Sequence, residues 1–323
     1  MSDAEDAIVW LFVVIGIYAA IQFLYDNLRS PISIIWGLLF CKNSSLSKRY
    51  GPWAVITGSS DGIGKEYAKN LAREGLNIML ISRTESKLVQ IAQEIRSNYK
   101  VQVKWIAVDF SDGAKVYPKI SSKLAPIEVG MLVNNVGMAH KHPSPFEDIS
   151  EVELHQSLSV NILPTVMLTH MILPGMKRRR RGIIVNVTSS SGFISLPYVS
   201  MYAASKAFLN SLTQSLQDEV RGTGVQCQLV TPLLVDTNMS QQWQSYFLWR
   251  ITSAGVVRYT KMATWMIGRA AHTSGHWKHA IQLTILRIFP RWTVGTCIGL
   301  GLNYLRNRGA NPEKNLQPRN VLK

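Results

Sequence analysis

The chain has 323 residues, room for one large domain or two ordinary ones, and 46% of them are hydrophobic, ample for a core. Its three cysteines, Cys41, Cys227 and Cys297, have no metal-ligand spacing and leave one unpaired in any disulfide framework, which excludes a disulfide scaffold and points to a reducing compartment. The formal net charge of +15 is mostly scattered Lys and Arg, without interleaved base-reading elements, so nucleic acid is not an expected partner; an anionic membrane surface or a phosphorylated substrate suits it better.

Residues 7–25 carry no charge and only one strongly polar side chain, Gln22. Their length approaches the ~20 residues that cross a bilayer. Asp3, Glu5 and Asp6 precede them, whereas a cleaved secretory signal opens on positive charge. An uncleaved anchor within residues 1–28 is expected, with a buried N-terminal helix as the alternative. Arg29, Lys42, Lys48 and Arg49 follow, which by the positive-inside bias places the bulk of the chain in the cytoplasm. Residues 29–50 read as a membrane-proximal linker, in which the apolar stretch 32–40 is too short to span alone and suits the interface.

From Trp53 the texture changes. Trp53–Thr57 reads as a short apolar strand. It runs into Gly58, Ser59, Ser60, Asp61, Gly62, Ile63 and Gly64, and a helical pattern follows over 65–74. A strand, a glycine-rich turn and a helix N-terminus make a phosphate site, because glycine permits close backbone approach and the helix end favours negative charge. The spacing is Gly-x-x-x-Gly-x-Gly. It is neither the commoner Gly-x-Gly-x-x-Gly nor a P-loop. The second strand, Asn77–Ser82, ends at Arg83. An acid after this strand would bind a free ribose 2′-hydroxyl, and an Arg accommodates a 2′-phosphate, so NADP(H) is favoured over NAD(H).

A helix over 85–97 and a strand over 103–108 lead to Asp109. A further strand, Val129–Asn134, ends in Asn135, Val136 and Gly137. Strands alternating with helices predict an α/β fold with a Rossmann-like, doubly wound parallel sheet. Ligands of such a sheet bind outside the carboxyl ends of its strands, and Gly62, Arg83, Asp109, Asn135 and Ser189 all fall at predicted ends. His140 and His142 lie in a Pro-rich loop. With His272, His276 and His279 they form no HExxH and have no cysteine or acidic partner pattern, so no metal is expected. Residues 150–176 read as a long helical region. Asn161 stands there in an apolar patch, which suits a buried, hydrogen-bonded amide. The dense basic run 177–181 falls between that helix and the next strand, where cations suit a helix C-terminus.

Residues 182–206 carry the densest chemistry. An apolar strand breaks into Ser189, Ser190, Ser191 and Gly192, and Tyr202 and Lys206 follow at i and i+4, on one helix face. A nearby cation favours phenolate, so Lys206 is expected to lower the pKa of Tyr202 and make it a proton donor and acceptor near neutral pH. A helix to Arg221 and a strand over 225–230 lead to Pro232 and Thr237, whose hydroxyl is placed to meet a cofactor. The Trp- and Tyr-rich, weakly patterned region of about 238–280 reads as a substrate cover or a membrane-contacting surface. Residues 281–302 are apolar but interrupted by Arg287, Pro290 and Arg291, so no span is expected there. The tail, 306–323, is polar and reads as disordered.

Taken together, Thr57-Gly58-x-x-x-Gly62-Ile63-Gly64, Asp109, Asn134-Asn135-Val136-Gly137, Asn161, Ser189, Tyr202-x-x-x-Lys206 and Pro232 to Thr237 resemble the short-chain dehydrogenase/reductase family over about 51–237. The phrases DGIGK, LISRT, LVNNVG and SMYAASKAF, with the N-terminal anchor, resemble its membrane-bound 17β-hydroxysteroid dehydrogenase and very-long-chain 3-oxoacyl-CoA reductase group. That group includes the hydroxysteroid dehydrogenase-like proteins, some of which have lost the Tyr; this sequence keeps Tyr202. The resemblance implies one enzyme domain over 51–305 that reduces a lipid ketone, a 3-oxoacyl-CoA or a 17-keto-steroid, with NADPH. Tyr202 is then the acid/base, Lys206 its electrostatic partner and ribose contact, Ser189 the group that orients the substrate carbonyl, and Asn161 part of a proton relay. Thr57, Gly58, Ser60, Asp61, Gly62, Ile63, Gly64, Arg83, Asp109, Asn135, Gly137, Tyr202, Lys206 and Thr237 hold the cofactor. The endoplasmic reticulum membrane is the expected location, ahead of the mitochondrial membrane, and homodimerisation stays open. A non-catalytic lipid- or partner-binding role and NAD-dependent alcohol oxidation are the alternatives. Two departures stand out: Val136 replaces the family's usual Ala, and Leu233 replaces the usual Gly after Pro232.

Overall fold

The structure, a computed structural model, describes residues 3–40, 45–139, 142–243 and 252–309. Six apolar runs form strands β1 (Trp53–Thr57), β2 (Asn77–Ser82), β3 (Val103–Ala107), β4 (Val129–Asn134), β5 (Gly182–Val187) and β6 (Val225–Val230). Two short strands, β7 (Val235–Asp236) and β8 (Ala254–Gly255), pair with each other apart from the main sheet, and β9 (His272–Thr273) joins its edge. The seven-stranded sheet has the order β3-β2-β1-β4-β5-β6-β9, and every pair is parallel. Parallel strands need crossover helices that cover both faces, which is why these strands read as continuous apolar runs rather than alternating ones.

Alternation along each strand divides the core in two. On one face Ile56, Ile78, Leu80, Val133 and Val185 pack with Tyr67, Leu71, Leu88 and Ile95 of helices α3 (Gly62–Arg73) and α4 (Glu85–Asn98). On the other face Val55, Met79, Ile81, Leu132 and Ile184 meet helices α5 (Tyr117–Leu124), α7 (Leu163–Arg179) and α8 (Ser200–Glu219) through Ile120, Leu168, Met176 and Leu216. The long helical region divides at Ile162 between α6 (Glu151–Asn161) and α7, with Pro164 in the first turn of α7. A capping box between Ser150 and Glu153 starts α6. The basic run does finish a helix: α7 stops at Arg179, and Arg180 takes a left-handed φ of 51°. Arg179 donates to the Val129 carbonyl at 2.9 Å and Arg181 pairs with Glu128 at 2.5 Å.

Helix α1 runs from Asp3 to Phe40 with Pro31 inside it. At 1.5 Å per residue its 38 residues extend about 57 Å, well beyond the ~30 Å of a hydrocarbon core. The segment Glu5–Tyr25 is long and apolar enough to cross a membrane, and none of it is buried against the rest of the chain. The helix continues through 29–40, the first part of the stretch read as a linker. The last part of that stretch forms α2 (Leu46–Tyr50), and Tyr50 lies in the core, donating to Gln226 at 2.7 Å.

The region read as a substrate cover is in large part core. Helix α9 (Val256–Trp265) packs on α3, with Tyr259 and Ala263 fully buried, and β9 supplies the seventh strand. Its irregular sequence hides this because β9 is only two residues long. Residues 244–251, in the middle of that region, lie outside the described residues, as do Cys41, His140 and the tail from 310. Residues 281–302 are broken at Phe289 and Pro290 into α10 (Trp277–Ile288) and α11 (Arg291–Gly309), so no single helix runs the length of that stretch.

Candidate active site

Because all seven strands are parallel, their carboxyl ends lie along one edge, and the polar strand-end residues gather there. Thr57 and Asn135 link the central pair. Thr57 Oγ1 accepts from the backbone N–H groups of Asn135 at 3.0 Å and Val136 at 3.1 Å. Asn135 Nδ2 donates to the carbonyls of Thr57 at 3.1 Å and Gly58 at 3.3 Å. These four bonds set the glycine turn against the end of β4. Gly58 has a φ of 63°, and a Cβ on it would stand 2.9 Å from Val136 Cα. A Cβ on Gly64 would stand 2.3 Å from the Gly58 carbonyl oxygen, so only glycine lets the turn close this tightly.

The turn has further ties. Asp61 caps α3, accepting from Gly62 N at 2.7 Å, and also accepts from Asn238 beyond β7. Ser60 and Ser82 share a hydrogen bond of 2.8 Å between the turn and the end of β2. Ile63 packs against the core, and Gly62 faces Thr237. The Thr237 N–H donates to Ser240 Oγ at 3.0 Å, which fixes the shape of the segment after β7 where it meets the turn. Open glycine surface, a helix N-terminus and backbone stripped of side chains fit a dinucleotide pyrophosphate.

At the far edge Arg83 stands 3.5 Å from Asp109. Burial would push the Asp109 carboxyl up, but hydrogen bonds from Ser111 and the Arg83 guanidinium hold it below its ordinary value. Together with Asp112, Lys115 and Lys119 they line a cleft of about 360 Å³. An exposed guanidinium with basic neighbours suits a 2′-phosphate.

The serine loop, Tyr202 and Lys206 meet at the end of β5. A Cβ on Gly192 would fall 2.5 Å from Asn210 Nδ2 and 2.7 Å from the backbone of Lys206 and Ala207, so Gly192 lets the loop lie flat on α8. Ser189 is buried, accepts from Ser191 N at 3.1 Å, and stands close enough to the Tyr202 phenol to lower its pKa. Lys206 is 4% exposed, with Nζ 5.6 Å from the centroid of the Tyr202 ring. The i, i+4 spacing therefore puts both on one face, but the expected lowering of the phenol pKa does not result. Burial pushes Tyr202 above its ordinary value, and the lowering influence comes from Ser189. Burial also pushes Lys206 down to about 8, which weakens it as a cation.

Asn161 is fully buried, as its apolar surroundings suggest. It accepts from Met138 N at 2.7 Å and donates to the Met138 carbonyl at 3.0 Å. Gly137 stands between the parts: a Cβ there would lie 3.3 Å from Lys206 Nζ and 3.4 Å from Asn161 Oδ1. Supporting groups that sequence patterns do not single out include Met138, Ser240 and His279. Fully buried, His279 accepts from Leu233 N at 3.4 Å and donates through Nε2 to the Leu234 carbonyl at 3.1 Å, holding the segment between β6 and Thr237. Only the proximity of Leu233 to the family's Pro-Gly position hinted at a need for such support. Among the described residues no group of three or more His, Cys, Asp or Glu could hold a metal.

A glycine turn, a strand-end amide and a Ser-Tyr-Lys cluster on one edge of a parallel sheet define an NAD(P)-type oxidoreductase site on a Rossmann-like fold. Residues 52–246 match the model of the short chain dehydrogenase family, and the chain belongs to it. It is 35% identical to the zebrafish (Danio rerio) very-long-chain 3-oxoacyl-CoA reductase-A, covering 95% of this chain and 96% of that one. It is 39% identical to the human (Homo sapiens) inactive hydroxysteroid dehydrogenase-like protein 1, covering 77% and 76%. A putative NAD(P)-dependent gluconate 5-dehydrogenase from Beutenbergia cavernae, solved with NADP, superposes with a TM-score of 0.64 at 25% identity, covering 72% of this chain and 99% of that one.

Proposed function

We propose that the chain reduces a ketone on a membrane-derived lipid, a 3-oxoacyl-CoA or a keto-steroid, using NADPH. The observation that carries the reading is the convergence of Tyr202, Ser189, Lys206 and Asn161 beside the glycine turn. NADPH, when bound, supplies the hydride. Thr57, Gly58, Ser60, Asp61, Gly62, Ile63, Gly64, Asn135 and Gly137 would line its pyrophosphate and ribose, Thr237 would close over it, and Arg83 and Asp109 would meet its adenosine end. The Tyr202 phenol gives a proton to the oxygen of the substrate carbonyl, which becomes the product hydroxyl. The phenol is protonated near neutral pH, as an acid for reduction must be, and Ser189 offsets part of the rise that burial imposes on its pKa. Ser189, beside that phenol, is a second donor where negative charge develops. Lys206 is placed to hold the nicotinamide ribose, and Asn161 fixes Met138 behind it.

Helix α1 supports membrane attachment, and relatives named for very-long-chain acyl reduction support a lipid substrate. We place the chain in the endoplasmic reticulum membrane with the sheet domain in the cytoplasm. A relative named as inactive keeps a binding-only role in view; the intact Tyr202 and Lys206 favour catalysis.

One variant and one titration decide this. The full chain in membranes should consume NADPH with long-chain 3-oxoacyl-CoAs or keto-steroids, and Tyr202→Phe should abolish turnover while NADPH affinity stays near wild type. NADPH binding without turnover across the panel would favour the binding-only role, and turnover retained by Tyr202→Phe would refute Tyr202 as the donor.

A further inference from the structure

The C-terminal helices expose the wrong kind of surface for water. On α10, Trp277, Ile281, Ile285 and Ile288 recur at helical spacing, and each is at least half exposed. His279, Ala280 and Leu283, on the opposite side, are the buried residues. Phe289 and Trp292 extend the exposed stripe across the break, and Leu300 and Tyr304 continue it along α11. So the outward face, not the inward one alone, is apolar. A contiguous patch of this kind marks a partner.

Three observations identify the partner as a bilayer. First, α1 packs mainly on α10, and Leu28, Ile32 and Ile35 of α1 are themselves exposed. The apolar face is thus continuous with the helix that carries the membrane-spanning segment. Second, residues 237–312 contain no Asp or Glu but nine Lys and Arg, among them Lys278, Arg287, Arg291 and Arg306. An apolar stripe bordered only by cations is the composition of a helix lying on an anionic lipid surface. Third, α11 lies on the loop between Ser189 and Tyr202. A Cβ on Gly295 would fall 2.8 Å from the Ser195 carbonyl oxygen, and one on Gly299 3.0 Å from Pro197. The Arg287 guanidinium sits 5.4 Å from the Phe193 ring centroid, and Arg306 the same distance from Tyr198.

We propose that α10 and α11 form a second membrane-contacting face, laid into the headgroup boundary of an anionic bilayer beside α1. That face brings the loop carrying Ser189 and leading to Tyr202 to the lipid surface, where a lipid ketone is concentrated. The proposal rests on membrane attachment through α1 but not on ketone reduction, so a chain without turnover leaves it standing.

The test uses the full chain in vesicles of phosphatidylcholine, with and without phosphatidylserine. An environment-sensitive fluorophore is placed at Ile281→Cys, Ile288→Cys or, as the control, Lys87→Cys on α4, in a chain whose native cysteines are replaced. Labels at 281 and 288 should be quenched by nitroxide-bearing lipid and shielded from aqueous iodide, more so with phosphatidylserine. The label at 87 should behave oppositely. Trp277→Asp with Ile285→Asp should lower lipid quenching at 288 several-fold while the chain, held by α1, still floats with the vesicles. Iodide access at 281 equal to that at 87 would overturn the proposal. So would shielding that disappears on dilution in lipid regardless of phosphatidylserine, which would assign the face to a second copy of the chain.

Discussion

Asn161 holds the backbone of Met138 with both ends of its amide, Oδ1 accepting at 2.7 Å and Nδ2 donating at 3.0 Å. The pair joins the break between α6 and α7 to the segment leaving β4, and Gly137 lies between it and Lys206. Asn161→Leu leaves both Met138 groups unpaired in a buried place, at roughly 1–3 kcal/mol for each unsatisfied group. The expected result is a lower unfolding midpoint and a larger loss in kcat than in NADPH affinity. Asn161→Asp, which keeps the acceptor and loses the donor, should fall between.

Gly64 admits no side chain. A Cβ there would meet the Gly58 carbonyl oxygen at 2.3 Å and Asn135 Nδ2 at 2.5 Å, and backbone cannot swing aside. Gly64→Ala should displace the turn and weaken NADPH binding about tenfold or more, a loss of ~1–3 kcal/mol by overpacking. Calorimetric titration measures it. Gly255→Ala, where nothing lies within 4 Å of the added Cβ, is the control that should bind as wild type.

Arg83 is expected to set the choice between NADPH and NADH. A hydrogen bond to a charged group contributes about 1.5–3 kcal/mol. Arg83→Ala should therefore weaken NADPH roughly tenfold and leave NADH nearly unchanged. Equal losses for both cofactors would mean that Arg83 acts through Asp109 instead.

His279 makes stability depend on pH. Burial, reinforced by His276 and Lys278, pushes its pKa down to about 4 from an ordinary 6.5. His276 also faces it at 5.7 Å, and the Tyr259 ring packs at 5.4 Å. Between those values the unfolded chain binds the proton and the folded chain does not. The contribution of His279 is thus complete above pH 6.5 and is lost as pH falls toward 4. Protonated His279 also cannot accept from Leu233 N. Denaturant midpoints should fall over that window in the wild type and less steeply in His279→Gln.

A buried amide ladder crosses the sheet beneath the site. Asn134 Nδ2 donates to Asn186 Oδ1 at 2.9 Å and lies 3.3 Å from Thr169 Oγ1, and Asn186 Nδ2 donates to Thr213 Oγ1 at 2.9 Å. Thr213→Val orphans the Asn186 donor and should cost about 1–3 kcal/mol of stability. Cofactor affinity should change little, because Thr213 lies under the sheet end rather than at it. Paired denaturation and binding measurements check both halves.

Much of the active edge was legible in the chain because its pieces are local. Gly58 to Gly64 declare a turn by residue type, Tyr202 and Lys206 share a face by helical period, and Asn161 stands out as an amide among apolar neighbours. The end of the chain was less legible for the same reason. Two-residue strands such as β8 and β9 leave no periodic trace, and Tyr259 and Ala263 became core only when α9 met α3. The stretch 29–40 has the apolar character of the anchor but reads as separate because Pro31 interrupts it; the helix carries on through that proline.

The sequence by itself determined the parallel sheet and placed the chemistry at strand ends, because apolar runs between helical patterns allow few other folds and put every carboxyl end on one edge. The tertiary structure decided what those groups are once assembled. It brought Gly192 flat against α8 so that Ser189 stands beside Tyr202, and it half-buried Tyr202 and buried Lys206. Desolvation, which no spacing encodes, then raised the phenol and lowered the amine, against the direction that a lysine four residues from a tyrosine suggests.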